Sequence, residues 1–259
     1  MRYLITRSLM LLVATAMIAS NLTIHNSAMT TEPTNTTAEN PLLAENLAEN
    51  PLLAKWKGPF GGVPPFDEVQ IALFKPALEA GMTEQLAETE RIANNPAAPN
   101  FENTIAALER TGSTLDRVTT LYFVWAAPMA NPEFQAVQRE MAPKLAAFYD
   151  QITQNEALFK RIDAVYNSPE KAKLNAEQQR VTWLYYTNFV RAGARLKPEA
   201  KTRLSQINQQ LAGLFTKFSQ NVLAEETDQF IVLKSEDELA GLPQSIRDAA
   251  AAAAESKKQ

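Results

Sequence analysis

The sequence predicts an all-α protein, and three observations support that fold class. From Asp67 onward, apolar residues recur at the spacing of amphipathic helices. Asparagines precede several of these stretches, where the first turn of a helix needs a side-chain acceptor. Glycine is scarce after Asp67, and Gln229–Leu233 is the one short segment with the composition of a strand.

The first residues follow the order of an export signal, predicted over residues 1–28. Arg2 and Arg7 give a positive start, and Leu9–Ala19 is an apolar run too short to span a bilayer. We expect cleavage after Ser20 or after Ala28; an uncleaved anchor or a buried helix is the alternative. The protein is therefore predicted to be periplasmic or secreted, without a stable membrane anchor, and the lack of cysteine fits an oxidising compartment.

A tether and extended leader is predicted over residues 29–65. Thr30–Asn40 is polar and indicates a solvated segment. A short duplication follows, because Glu39–Ala44 (ENPLLA) recurs ten residues later as Glu49–Ala54. One copy could dock as a surface strap, whereas two copies are too few for a repeat fold. The glycines and prolines of Lys57–Phe66 exclude a helix there.

Residues 66–228 are predicted to form one helical domain, with a bundle core. One helix is expected to begin at Asn100 and run through Gly112, because a seven-residue apolar repeat continues across this glycine. The repeat supplies predicted core residues: Phe101, Leu108, Leu115 and Tyr122. The predicted N-caps are Asn100, Asn131, Asn155 and Asn175. A stripe expected to face inward on the last long helix comprises Leu204, Ile207, Leu211, Leu214, Phe218 and Val222.

Residues 229–259 are predicted to be the start of a further region that is cut short. Gln229–Leu233 has no second strand to pair with in the sequence, and a single strand does not stand alone. Ser235 and Glu238 have the spacing of a capping box that opens a short helix. An Ala-rich helix is expected over Ser245–Lys258.

Composition and charge exclude several function classes. The net charge is −4 and the basic residues are scattered, so no nucleic-acid partner is expected. His25 is the single histidine and there is no cysteine, although most zinc sites and acyl-transfer nucleophiles depend on one of these residues. We therefore assign no catalytic, cofactor-binding or metal-binding residue in this chain.

One aromatic cluster has both a functional and a structural interpretation. Trp183–Tyr186 with Phe189 could line a peptide groove, but packing between helices is the favoured explanation. Arg191 and Arg195 are four residues apart and are predicted to share one helix face. They could bind a substrate carboxylate; solvation or pairing with a neighbouring acid is the more usual role.

The acidic residues near the end of the last long helix also have two interpretations. Glu225, Glu226 and Asp228 could in principle hold a metal ion. Without histidine or a glycine-containing calcium loop, a solvated helix end is the favoured explanation.

Short motifs follow one another from about Phe66 to the end of the chain. They are Pro65-Phe-Asp67, Ala80-Gly-Met82, Asn100-Phe-Glu-Asn-Thr-Ile105, Leu108-Glu109 with Gly112, Ala142-Pro-Lys-Leu-Ala146, Phe189-Val-Arg-Ala-Gly-Ala194, Phe218-Ser-Gln-Asn-Val-Leu223 and Leu239-Ala-Gly-Leu-Pro243. Each is weak alone, but together their order and spacing are specific. The set resembles the N-terminal half of the thimet oligopeptidase and peptidyl-dipeptidase family of zinc metallopeptidases.

The resemblance implies a nearly all-helical fold in which this part forms one wall of a deep channel that admits short peptides. In that family an H-E-x-x-H helix and a downstream Glu hold the zinc, and the Glu of the motif is the general base. Those residues belong to the C-terminal half, and no segment here matches them. Zinc is thus expected in the missing half, and no site residue is transferred to this chain.

Two functions remain open from the sequence. The first is the N-terminal portion of an exported zinc oligopeptidase or peptidyl-dipeptidase, inactive alone, whose partners are short peptides and the missing C-terminal catalytic domain. The second is a stand-alone helical peptide-binding or scaffold module without catalysis.

Overall fold

The computed structural model of the chain describes residues 3–6, 50–59, 62–126, 129–228 and 230–257. Most of the predicted export signal, the tether, the copy Glu39–Ala44 and His25 lie outside these residues. The chain divides into two compact units, residues 25–216 and residues 1–24 with 217–259.

Helices dominate the described residues, which confirms the predicted all-α class. The helices are α1 Ile71–Ala93, α2 Ala106–Glu109, α3 Ser113–Ala126, α4 Pro132–Thr153, α5 Glu156–Asn167, α6 Ala176–Arg191, α7 Pro198–Asp228 and α8 Gln244–Ser256. The strands are β1 Tyr3–Thr6 and β2 Phe230–Leu233. Short turns of other helix types occupy Pro51–Leu53, Phe66–Glu68, Phe101–Ile105, Pro169–Lys173 and Asp237–Leu239.

All four predicted asparagine N-caps are confirmed. In each case the side-chain oxygen accepts a hydrogen bond, at 2.8–2.9 Å, from the backbone N–H three residues on. Two of these starts are reciprocal capping boxes, in which the third residue also bonds back to the cap: Asn100 with Asn103, and Asn175 with Gln178. Such caps satisfy N–H groups that have no partner inside the helix.

The core of residues 25–216 is built around α1 and α3. These helices approach closely, since a Cβ atom added to Gly81 of α1 would lie 3.0 Å from the Cα atom of Leu115. Leu108, Leu115 and Tyr122 are buried as predicted, whereas Phe101 is half-buried against the edge of the core. At one end of the core, aromatic rings surround Phe74: those of Tyr122, Trp125 and Phe134.

The predicted continuous helix through Gly112 is wrong, because the chain turns at this residue. α2 ends at Glu109, α3 begins at Ser113, and Gly112 has φ +76°. That left-handed conformation favours glycine. The seven-residue repeat persists across the turn because α2 and α3 both pack against α1.

A chain of charged side chains joins α1 to α4 at the surface. Lys75 lies 2.6 Å from Glu140, and Lys144 lies 2.6 Å from Glu79 and 3.0 Å from Glu140. Hydrogen bonds from Lys75 and Lys144 lower the pKa of the Glu140 carboxyl. The same kind of contact, from Glu79 and Glu140, raises the pKa of Lys144. Both charges are therefore favoured at neutral pH.

In the second unit, the expectation that the strand near Gln229–Leu233 has no partner is wrong. β2 pairs antiparallel with β1, with Tyr3 opposite Leu233 and Thr6 opposite Phe230. The error arose because β1 lies in the part of the sequence predicted to be the export signal. α8 packs near β1 and buries Ala250 and Ala254. The predicted capping box is confirmed by Glu238, whose Oε2 atom accepts hydrogen bonds from Lys234 N and Ser235 N.

Candidate functional site

The aromatic cluster of α6 divides between the core and the surface. Phe189 is 3% exposed and packs in the core, as the structural interpretation predicted. Trp183 is 38% exposed, with the guanidinium of Arg180 4.4 Å from its ring. The Tyr185 hydroxyl donates a hydrogen bond to Glu109 at 2.5 Å. These side chains thus do not form one continuous groove.

Tyr186 is the centre of a smaller cluster, which we call the tyrosine–arginine cluster: Phe159, Asp163, Tyr166, Tyr186 and Arg195. The rings of Tyr166 and Tyr186 are parallel, with centroids 3.8 Å apart. Arg195 donates a 2.6 Å hydrogen bond to the Tyr186 hydroxyl and lies 3.3 Å from Asp163. Phe159, Asp163 and Tyr166 share one face of α5 because they are four and three residues apart.

The predicted common helix face for Arg191 and Arg195 is wrong. α6 ends at Arg191, and the chain then turns through Gly193, which has φ +95°. Arg195 therefore points into the tyrosine–arginine cluster from the turn rather than lying one helical turn beyond Arg191. Because Asp163 and Tyr186 already engage its guanidinium, the cluster fixes α5 to the end of α6. Its contacts are ring packing, a hydrogen bond and a charge pair.

A shallow depression of about 390 Å³ lies between α1 and the stretch from Asn103 to Thr111. Its walls include Glu88, Arg91, Asn103 and Arg110. The Glu88 carboxylate accepts the Gly112 N–H at 2.7 Å, and Arg110 lies 3.3 Å from Glu102. Glu88 thus holds the turn before α3, and Arg110 is paired with Glu102.

Arg161 is a buried cation that the sequence analysis missed. It is 6% exposed and donates to the carbonyl oxygens of Asn95 and Ala97 and to Asn103 Oδ1, at 2.7–3.0 Å. Burial lowers its pKa from the usual arginine value. These contacts anchor the loop after α1 to α5. No sequence signal distinguishes this arginine from the exposed ones, because its partners are mostly backbone carbonyl groups.

Another feature is an exposed apolar face on α7, consisting of Leu211, Leu214 and Phe215. They are 43%, 63% and 55% exposed, so the expectation that the whole stripe faces inward is wrong for Leu211 and Leu214. Phe218, one turn further along the helix, is 57% exposed and also departs from that expectation. Scattered apolar residues are normal on surfaces, but several on one helix face mark a contact surface. We call Leu211, Leu214 and Phe215 the α7 face.

Metal-binding groups do not gather in the described part of the chain. There, no cluster of three or more His, Cys, Asp or Glu side chains has the arrangement to hold an ion. Glu225 is exposed, and the side chains of Glu226 and Asp228 lie outside the described residues. Among the described residues, no helix has the length and apolar character needed to cross a membrane.

Comparison with known proteins finds peptidases. The chain is 37% identical over 210 residues to a dipeptidyl carboxypeptidase of Salmonella typhimurium, and 35% identical over 208 residues to that of Escherichia coli. It is 28% identical over 196 residues to oligopeptidase A of Haemophilus influenzae. No family model matches the sequence.

The chain belongs to the dipeptidyl carboxypeptidase and oligopeptidase A family. The resemblance seen in the short motifs is thereby confirmed. The matches with these three family members cover 81%, 80% and 76% of this chain, but only 31%, 30% and 29% of the respective relatives. The chain therefore spans about a third of the length of the family members that it matches.

Proposed function

We propose that this chain supplies the N-terminal helical part of an exported zinc oligopeptidase or peptidyl-dipeptidase, and that the complete protein hydrolyses short peptides. The observation that carries the proposal is the 37% identity to a dipeptidyl carboxypeptidase over 81% of this chain. In this proposal the helices form one wall of the channel through which peptides reach the catalytic centre.

In this proposal, the chemistry belongs to a part of the complete protein that this chain does not supply. A zinc ion there would activate water and polarise the scissile carbonyl group. This chain's residues do not fit such a site: an H-E-x-x-H helix needs two histidines, and His25 is the single one. The described residues also hold no acidic or histidine cluster suited to a metal. Alone, the chain is proposed to be inactive.

The α7 face gives this helical part a surface for contact with the remaining chain. Leu214 is 63% exposed and Phe215 is 55% exposed, which leaves apolar area in water. About 70% of the length of the dipeptidyl carboxypeptidases lies outside the match and is available to cover this face. We assign the α7 face to that contact.

Export is proposed from the front end of the sequence. A positive start, an 11-residue apolar run at Leu9–Ala19 and small residues follow in the order of a cleaved signal. The mature chain is then expected to begin between Asn21 and Thr30, which N-terminal sequencing of the exported protein measures. Intact Met1 in the cytosolic fraction would contradict this proposal.

A chimera tests the proposed role. The stretch of the Salmonella typhimurium dipeptidyl carboxypeptidase that matches this chain is replaced by the corresponding residues of this chain. We expect chelator-sensitive hydrolysis of short peptides, weakened by Leu214→Ser with Phe215→Ser. Val124→Ser is the control, since Val124 is 39% exposed but belongs to α3. A folded chimera that cleaves no peptide would contradict the proposal.

The stand-alone module remains the second candidate because β2 is paired. An unpaired strand would speak against such a module, since exposed strand edges promote aggregation. In a chain that keeps residues 1–28, the pairing of β2 with β1 removes that objection. Peptide binding by the purified, monomeric chain without zinc would favour this module.

A further inference from the structure

The duplicated segment docks on the helices through its second copy. Its turn, Pro51–Leu53, contacts both α1 and α3. Leu52 is completely buried and belongs to the core cluster of α1 and α3, while Leu53 packs against the edge of that cluster. We call the site between α1 and α3 the leucine socket.

Polar contacts fix the segment in the leucine socket. Asn50 is 4% exposed, and its Oδ1 atom accepts the Leu52 N–H at 3.0 Å, which caps the turn. Its Nδ2 atom donates to the Leu73 carbonyl oxygen of α1 at 3.0 Å. From α3, Arg117 Nη2 donates to the Leu53 carbonyl oxygen at 3.2 Å.

The contacts of the socket match an Asn-Pro-Leu-Leu sequence. The asparagine amide is needed because it both accepts from the turn and donates to α1. Proline suits the first position of the turn, where its missing N–H costs no hydrogen bond. The first leucine fills the buried position, and the carbonyl group of the second meets the guanidinium of Arg117.

Every residue of the docked segment that makes these contacts also occurs in the first copy. Ala38–Ala44 and Ala48–Ala54 are the same seven residues, AENPLLA. Asn40, Pro41, Leu42 and Leu43 thus correspond to the four residues that the socket engages. Residues 38–44 lie outside the described part of the chain.

We propose that the leucine socket is a binding site for the Asn-Pro-Leu-Leu motif that either copy of the same chain can fill. When Ala38–Ala44 replaces Ala48–Ala54, the register shifts by ten residues, and the connection from the socket to α1 lengthens by that number. The exchange loosens the leader without opening the core, because an identical leucine takes the buried position.

The residues after each copy decide which register is favoured. After the second copy, Trp56 packs closely against the backbone of Gly62, and Lys57 forms a bridge with Val63. The first copy is followed instead by Glu45 and Asn46. The second copy therefore has additional contacts, and the first copy is the reserve occupant.

A mutant cycle in the full chain tests the exchange. One variant carries Asn50→Ala with Leu52→Ala, a second carries Asn40→Ala with Leu42→Ala, and a third carries all four substitutions. Because the same two substitutions are made in each copy, the second variant is the matched control for the first. We expect the second variant to keep the thermal midpoint of the unaltered chain.

The substitutions in the first copy should matter only when the second copy is blocked. We expect the fourfold variant to melt at least about 4 °C below the variant altered only at Asn50 and Leu52. Equal midpoints for these two variants would overturn the proposal. A midpoint difference that grows with protein concentration would overturn it too, because it would mean that a second chain supplies the motif.

A peptide experiment covers the case in which substitutions unfold the socket. A synthetic peptide with the sequence of residues 38–46 is added to the fourfold variant, or, if that variant does not fold, to the unaltered chain at a concentration high enough to displace the second copy. We expect binding and a concentration-dependent rise of the midpoint, because a ligand of the folded state stabilises it. A peptide in which alanine replaces the Asn and the first Leu should do neither; equal binding of both peptides, or binding of neither, would overturn the proposal.

Discussion

The backbone N–H of Gly112 donates a 2.7 Å hydrogen bond to the carboxylate of Glu88, a residue of α1 that lies 24 positions earlier. The side chain of Gln85, one turn before Glu88, lies over the position where a Cβ atom of residue 112 would stand. The turn between α2 and α3 is thus held by α1 and depends on glycine.

Gly112→Ala should destabilise the chain by about 1–3 kcal/mol, because alanine is strained at φ +76° and its Cβ atom would meet the Gln85 side chain. Gly213→Ala is the control: Gly213 lies inside α7, and apart from its chain neighbours and the adjacent helix backbone no atom is within 4 Å of an added Cβ. The control should gain about 0.5–1 kcal/mol. Urea unfolding measures both changes. If the Gly112→Ala variant were as stable as the Gly213→Ala control, the left-handed turn at residue 112 would be contradicted.

Leu115→Ala should cost about 2–5 kcal/mol of the free energy of unfolding, as expected for a large-to-small change in a packed core. Leu115 is 2% exposed between α1 and α3, whereas Leu214 of the α7 face is 63% exposed. Leu214→Ala should change the stability of the isolated chain by less than about 0.5 kcal/mol. Similar losses for both variants would mean that the α7 face is covered in solution.

Stability should fall at alkaline pH, and Tyr149 should contribute to the fall. Burial raises the pKa of its phenol to about 12, and the carboxylate of Asp116 adds to the effect. An unfolded tyrosine has a pKa of about 10, so the folded chain holds the proton more tightly. This contribution is complete below pH 10 and is lost as the pH rises from about 10 to 12.

Denaturant midpoints measured at several alkaline pH values test this dependence. Tyr149→Phe should lessen the fall, because it removes the buried phenol. If this variant behaved like the unaltered chain, Tyr149 would not be the titrating group.

Removal of residues 1–28, the predicted signal, should expose the edge of β2. β1 lies within those residues and supplies the partner of Phe230–Leu233. Amide hydrogens of β2 should then exchange faster, while those of α1 and α3 keep their protection. Unchanged exchange in β2 would show that its pairing with β1 does not protect it.

Features set by neighbouring residues could be predicted from the sequence. The four N-caps follow from Asn100, Asn131, Asn155 and Asn175 and the residues directly after them, because a cap involves a single turn. The buried positions of Leu108, Leu115 and Tyr122 follow from helical spacing, which identifies the apolar side of a helix without locating its ends.

Features set by distant residues could not be predicted. The break at Gly112 depends on Glu88 and Gln85 of another helix, and the partner of β2 lies at the other end of the chain. Helical spacing also does not say what covers an apolar face, so Leu214 was expected in the core although the structure exposes it. The absence of an assigned catalytic residue stays a prediction.

Zinc content and peptide hydrolysis by the purified chain test the central claim most directly. Because His25 is the single histidine and there is no cysteine, we predict no stoichiometric zinc by elemental analysis and no chelator-sensitive cleavage of short peptides. One zinc ion per chain together with cleavage that a chelator abolishes would contradict the account.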